Sequence, residues 1–552
     1  NSDNTAVGKS ALVAITTGGS NTVLGATAGD ALTTGHENVI IGANAGSATT
    51  NTGYSVIIGE SACGADMTAA TDGTIAIGRS ALAALTTGGE NIAIGYLAMD
   101  AMQEGHNNIA LGHHALGSAN NSGSDRNIAI GNYALDATST NVTTDNIAIG
   151  NAAQGALTTG DYNVAVGTSS LGAITSSNGN TAVGTFSGQS LDGGVRNTLL
   201  GYGTLAAADG DEDYNVCIGY SAGGGIDSDT ADDNVLIGFE AGTGGGAAMA
   251  GCIAIGANAM NSTGANAQTG AIAIGYNALT AMTTGGASSS GNLAIGMAAL
   301  QQHTTGARNM AIGFAAMQET GANDCPTSID NIFIGVSSGG GAWVTNDSNY
   351  NVAIGNYTMD AIMNGAVRNT CVGYGSLGAV TTGYYNVALG YEAGKVNADG
   401  NSNVALGYSA LLDNVSGIRN VCVGQQAGDN ITASENICIG YQSGSTIASG
   451  GGNTIIGHDA DVNATTGEDS TNQIVLGKET IGQGDNSVTL GNTSVDDVYM
   501  AQDSQATVHC ATVAVSDGIN FPDDASANPS ADANTLDNYE EGNWDAAFYP
   551  AS

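Results

Sequence analysis

A small apolar residue flanked by two β-branched ones and closed by a glycine recurs along almost the whole chain. Ile92-Ala93-Ile94-Gly95 is followed seventeen residues later by Ile109-Ala110-Leu111-Gly112. Aligned on that glycine (position 0 below), the phrase occurs 28 times between Gly8 and Gly491, and thirteen of the 27 intervals are 17 residues. Most other intervals are longer by one to five residues, the mark of a solenoid whose extra residues leave at a corner. Position −1 is Ile, Val or Leu in all 28 copies, and position −3 is mostly Ile, Val, Thr or Leu. Such a period-two pair predicts a short strand with that pair turned into a core. Position −2, which faces the other way, is Ala, Val, Ile, Leu or Cys almost throughout, with Phe333 and Thr489 as departures. A strand apolar on both faces is covered on both faces. Further copies of the chain, meeting closely along the Ala and Cys column around an axis, are the expected cover, as a homotrimer.

Other columns support a coil. Position +3 is Ala, Ser or Thr in all 28 copies, a second small column expected to line the interior opposite the Ile column. Position −4 is Asn in 22 of 28 copies, with Ser55, Thr74, Cys252, Ala271, Gln473 and Ser487 as exceptions. Asn tolerates left-handed backbone and bonds its own and neighbouring amides, so a stacked Asn ladder is expected at this corner. The Thr16-Thr17-Gly18, Thr86-Thr87-Gly88 and Thr381-Thr382-Gly383 phrases mark the opposite corner, where glycine permits positive φ. The fold class is therefore all-β, a parallel β-solenoid (β-roll or β-helix) of about 28 coils with a 17-residue base repeat over residues 1–491. At ~4.8 Å per coil this is roughly 130 Å of stacked chain.

Composition narrows the function. Only 11% of residues are charged, but 50 are acids and 9 are Lys or Arg, a net charge of −41. Nothing here neutralises a row of phosphates, so nucleic acid is excluded as a partner, and anionic membrane surfaces are disfavoured. No apolar run approaches the ~18 residues needed to span a bilayer, so membrane insertion is not expected. Gly is 85 of 552 residues without a three-residue period, which excludes collagen. The eight Cys show no metal spacing, and several replace Ala in the repeat, as small buried apolar residues do. The first residue is not Met, so a fragment or a processed product is expected.

Five of the six Arg share one column. Arg126, Arg196, Arg308, Arg368 and Arg419 stand at −5, which also holds Tyr162, Tyr214, Tyr350 and Tyr385. Coil stacking about 5 Å apart should then pair Arg126 with Asp145, Arg308 with Asp330 and Arg419 with Glu435. It should also set Arg196 on Tyr214, and Arg368 between Tyr350 and Tyr385, as structural pairs. A second aromatic column at +1 holds Tyr202, Tyr220 and Phe239, then Tyr374, Tyr391 and Tyr408, and is expected to clamp coils.

Candidate chemistry is sparse. Acids cluster in variable turns, Asp209–Asp213 and Asp227–Asp233, whose oxygens could hold Ca²⁺, although solvated acids are the simpler reading and no resident cofactor or metal is expected. His113 and His114, as neighbours on opposite strand faces, would not chelate one ion together. No Walker or H-E-x-x-H motif occurs, and the Gly-rich phrases read as turns of the repeat that open no helix, so no enzyme is expected. The largest insertions are 283–292, 318–331 and 339–350. They fall among the consecutive copies at Gly275, Gly296, Gly313, Gly335 and Gly355 and should bunch along one part of the stack. Trp343, Asn346, Asp347 and Tyr350 in the third, with Asn323 and Asp324 in the second, are the candidate receptor or glycan contacts, Trp343 either stacking on a sugar or packing under its own loop.

After Gly491 the period stops. Residues 492–521 alternate like a strand-rich neck, 522–534 hold Pro522 and Pro529 as a linker, and 535–552 start an incomplete C-terminal domain. The N-[TI]-A-[IV]-G phrase, with Ala at +3 and T-T-G at the far corner, resembles the repeats of bacteriophage tail fibres. It is also similar to the head repeats of trimeric autotransporter adhesins, to which Ser55-Val56-Ile57-Ile58-Gly59 comes closest. Those heads are trimeric left-handed β-rolls with a shorter repeat, so the seventeen-residue period leaves handedness and cross-section open. Thr535–Trp544, TLDNYEEGNW, resembles a junction found in phage fibre proteins ahead of a C-terminal domain, often a self-cleaving trimerisation chaperone. The resemblance implies a virion or extracellular fibre, a rigid trimeric shaft for host attachment. Its partners would be other virion tail proteins and a host cell-surface glycan or protein receptor. A bacterial surface adhesin is the alternative, a glycan-degrading tailspike less so, and ice binding by Thr columns is weaker still.

Overall fold

The computed structural model describes residues 3–498 apart from 119–123, 138–141, 245–248, 263–266, 282–289, 304–305, 321–326 and 464–469. The chain divides into two units, Asn1–Ser494 and Val495–Ser552. Of the second, only Val495–Val498 is described, without secondary structure. The expected neck beyond 498, the linker and the C-terminal start lie outside the described residues.

The first unit is a parallel β-solenoid. Every phrase of the repeat supplies one three-residue strand at −3 to −1, from Thr5–Val7 to Val488–Leu490, and these form one 28-stranded sheet. Each strand pairs in parallel, in register, with the next: Ile92 faces Ile109, Ala93 faces Ala110 and Ile94 faces Leu111. Insertions of one to five residues leave this register intact, as between Met310 and Ile332. A two-residue pair, Met249–Ala250 with Gln268–Thr269, lies outside the sheet. There is no α-helix among the described residues, and one 3₁₀ turn spans Ala69–Thr71.

The strand faces are the reverse of the expectation. The −2 residue points into the coil: Ala93, Ala129 and Cys422 are fully buried by their own chain. The flanking Ile and Val at −3 and −1 point outward and are half-exposed, as at Ile128–Ile130. The reason is room. The coil interior is narrow and is already filled from the other side by +3 and +4 residues such as Ala98, Met99, Ala134 and Leu135, all fully buried. Ala or Cys is the usual −2 partner of Leu or Met at +4, with Leu199 beside Leu205 as an exception, so the bulky β-branched residues are mostly left to the outer face. Where −2 is large, +4 is often Gly: Ile40 goes with Gly46, Leu236 with Gly242 and Phe333 with Gly339. The +3 column is interior as expected, but it faces the Ala column rather than the Ile column.

The invariant glycine is a matter of both angle and space. Gly95 has φ +145, and a Cβ there would lie 2.3 Å from the Gly112 carbonyl oxygen of the next coil. Positive φ otherwise falls at −5, +2 and +4, as at Arg126, Tyr133 and Leu135, not at the −4 Asn as expected. These left-handed residues, unfavourable for bulky side chains, are held by coil-to-coil backbone bonds, for example Tyr133 N–H to the His113 carbonyl at 2.9 Å. At the T-T-G corner Gly88 does have φ +106, but at Gly18 and Gly383 the requirement is close approach: a Cβ on Gly18 would lie 2.0 Å from the Gly35 oxygen.

The Asn ladder is continuous over long runs. The Asn108 amide and its Nδ2 both donate to Asn91 Oδ1 (3.0 and 3.1 Å), and Nδ2 also reaches the Ser124 carbonyl at 2.7 Å. Asn127 repeats the pattern on Asn108. Each buried Asn thereby satisfies a corner amide and a corner carbonyl that would otherwise be orphaned.

Candidate functional site

Four outward positions per coil, −5, −3, −1 and +1, form the exposed face of the sheet. Its centre is the double column of Ile, Val, Leu and Thr. Ile94 is 38% exposed, Leu389 41% and Leu200 48%. Neither central column holds a charged residue in any strand, on a chain of net charge −41. With full burial of such a side chain worth about 1.5–3 kcal/mol at roughly 25 cal/mol per Å², the bare apolar area is on the order of 2,000 Å². That is several times the largest apolar patch of an ordinary monomer.

The rims of this face are the Arg/Tyr and Tyr columns. Arg126 Nε and Asp145 Oδ1 lie 2.7 Å apart, as do Arg308 Nε and Asp330 Oδ1. Arg419 pairs with Glu435, its Nε donating at 3.1 Å. The Arg196 guanidinium sits 5.5 Å from the Tyr214 ring centre, and that of Arg368 lies 5.4 Å from both Tyr350 and Tyr385. The hydrogen bond from Arg126 holds the Asp145 carboxyl below its usual range. At +1, Tyr202, Tyr220 and Phe239 stack at 5.3 Å with planes within 10°. Tyr374, Tyr391 and Tyr408 do the same at 5.2 and 5.3 Å. Rings stacked face to face present only their edges to solvent, which suits clamping coils better than holding a sugar ring.

The insertion candidates fare differently. Trp343 is fully buried, its Nε1 donating to the Gly339 carbonyl at 3.0 Å and its ring set edgewise on Phe333 at 5.6 Å. It is therefore not a glycan platform. The longer coil folds back on the stack, with Val344 N–H bonding the Met363 carbonyl at 2.9 Å, so the indole enters the core after all. Asn346 is exposed but donates to Asn364 Oδ1 at 2.8 Å, and Asp347 accepts from Thr327. Tyr350 belongs to the Arg368 stack. Asn323 and Asp324 lie outside the described residues, as do Pro326 and most of 283–292.

Many acids serve a second ladder that the sequence reading missed. The side chain at −6 accepts from the −6 amide of the preceding coil: Asp125 from His106 N–H (2.8 Å), Asp161 from Thr144 N–H (2.7 Å), Asp213 from Val195 N–H (2.7 Å). The mixture of Asp, Asn, Ser and His at −6 hid the column. In the acidic turns, Glu212 is buried and accepts from the Gly210 and Ser228 amides. Asp209 hydrogen-bonds Asp227, which raises the Asp209 carboxyl. His113 and His114 follow the glycine rather than sitting on a strand. Their rings meet edgewise at 4.8 Å, His113 stacked on Tyr96 and His114 on Tyr133.

The six described Cys are free and buried, and burial pushes the Cys63 and Cys217 thiols up to about 12. Among the described residues no helix is long and apolar enough to cross a membrane. No protein-family model matches the chain, and no curated protein matches it significantly. Fold and columns define a parallel β-solenoid repeat protein.

Proposed function

We propose that this chain is the shaft of a phage tail fibre, a rigid rod of three copies that carries host-attachment functions away from the virion. The observation that carries the reading is the outward Ile/Val double column, uncharged and uncovered along 28 strands. Cover by its own kind satisfies that face everywhere at once, because equivalent copies present the same columns at the same spacing. Continuous ladders and apolar packing on both strand faces would make the assembly stiff. The role is mechanical rather than catalytic. Recognition of a host glycan or protein receptor, and joining to other tail proteins, would fall to segments other than Trp343. The TLDNYEEGNW junction supports the virion setting over the alternative, a bacterial surface adhesin head, which the Ser55–Gly59 phrase favours.

Antibodies raised against residues 3–494 distinguish these readings. Gold label on an appendage of intact phage particles is the expected result. Label confined to bacterial envelopes would transfer the chain to the adhesin reading, and label on neither would overturn both.

A further inference from the structure

One group among the described residues brings three metal-ligating side chains together. His458, Asp459 and Glu479 each place a donor atom within 4.8 Å of the others. They come from consecutive coils, at +1 and +2 after Gly457 and at +2 after Gly477. Asp459 (φ +52) and Glu479 (φ +53) share the left-handed backbone of that column, so their carboxylates leave the coils on the same side. Glu479 N–H bonds the His458 carbonyl at 2.7 Å, which holds the two coils at fixed separation. The imidazole lies on Tyr441, ring centres 5.0 Å apart, and its Nδ1 is 3.0 Å from Asp459 Oδ2.

We infer that His458, Asp459 and Glu479 form a binding site for a divalent transition cation of the zinc class, clipping the coil at 457 to the coil at 477. One imidazole nitrogen with two carboxylate oxygens suits Zn²⁺, Co²⁺ or Ni²⁺, whereas Ca²⁺ takes six to eight oxygens. Three protein ligands leave the rest of the coordination sphere to water. A cleft of ≈ 380 Å³ adjoins Asp459 and is lined by Gln442, Ser445 and Asp461. Asp461 is nearly buried, bonded by the Ser445 hydroxyl and the Thr446 amide. It adds negative charge behind the site.

The place of the cluster supplies an independent reason. The Asn ladder ends at Asn453, because the next coil has Gln473 at −4. Its backbone still donates to Asn453 Oδ1 at 2.9 Å, but neither polar atom of the Gln473 side chain has a partner. The tie between coils therefore weakens at the step the three ligands span. Lys478, whose Nζ lies 2.9 Å from Glu479 Oε1, is the built-in competitor.

Calorimetric titration of Zn²⁺ into chelator-treated full chain, free of any polyhistidine tag, tests this. One saturable site per chain is expected, weakened about tenfold or more in His458→Ala and in Glu479→Gln. Lys478→Ala should bind more tightly than the native chain, an effect a merely structural lysine would not give. Co²⁺ should produce visible d–d absorption that His458→Ala abolishes. Absence of saturable binding, or binding unchanged in both ligand variants while circular dichroism shows them folded, would overturn the site.

Discussion

A Cβ built on Gly339 would lie 2.7 Å from the Phe333 ring, so the largest inward strand residue stands against the residue that leaves it most room. The same coil buries Trp343 against Phe333. Volume is thus conserved around a coil rather than at any one position, as close packing requires.

Phe333→Ala should therefore cost about 3–5 kcal/mol by opening a cavity. Adding Gly339→Leu should recover much of it, because the double variant reproduces the Ala129 and Leu135 arrangement, where Leu already sits at φ +53. Stability in a solenoid is local, so hydrogen exchange at the Ile332 and Ile334 amides is the measurement. No recovery in the double variant would refute the compensation.

Asn127→Ala removes the acceptor of the Asn146 amide and the donor to the Thr143 carbonyl. Each orphaned buried group costs about 1–3 kcal/mol. Faster exchange at Asn146, with distant coils unaffected, is expected. Equal loosening along the whole sheet would argue against a pairwise ladder.

Burial holds the His303 imidazole down at about 4 from its ordinary 6.5. The groups facing it, the Thr320 hydroxyl, the Gly306 carbonyl and Asn309, are uncharged. Because the folded value is depressed, its contribution is fully present above 6.5 and is lost as pH falls from 6.5 toward 4, on the order of 3 kcal/mol. Half-buried Asp360 runs the other way: burial raises it to about 6 from 3.8, so it costs stability as pH rises through that window. Local exchange near His303 should accelerate in acid, and His303→Met, after Met102 at the equivalent position, should abolish that dependence. An unchanged slope would contradict the assignment.

With Trp544 changed to Phe, the emission of Trp343 should be blue-shifted and shielded from iodide. Host glycans should not quench it. Saturable quenching by a glycan would restore Trp343 as a contact.

The repeat, the strand register, the Asn ladder and the Arg pairings were legible because each is a one-dimensional column: once the glycine fixes the register, stacking follows. Which face of the strand turns inward was not legible. Ile94 and Ala93 are both apolar, and only the interior width, set by Met99 and Ala98 across the coil, decides that Ala goes in. The sequence leaves Trp343 between sugar stacking and packing under its own loop for a related reason. A Gly-rich stretch such as 339–341 reads as a loop, yet its glycines are what admit Phe333 and Trp343 to the core. The −6 ladder was obscured because Asp125, Ser434 and His106 accept the same kind of bond, from the His106, Ile418 and Gly89 amides in turn, through different side chains.

The most direct test is the mass of the purified chain in solution by light scattering. Three chain masses are expected, falling to one when outward residues Ile94, Ile354 and Leu389 are changed together to Asp. A well-dispersed native monomer would leave the outward columns bare in water and contradict the account.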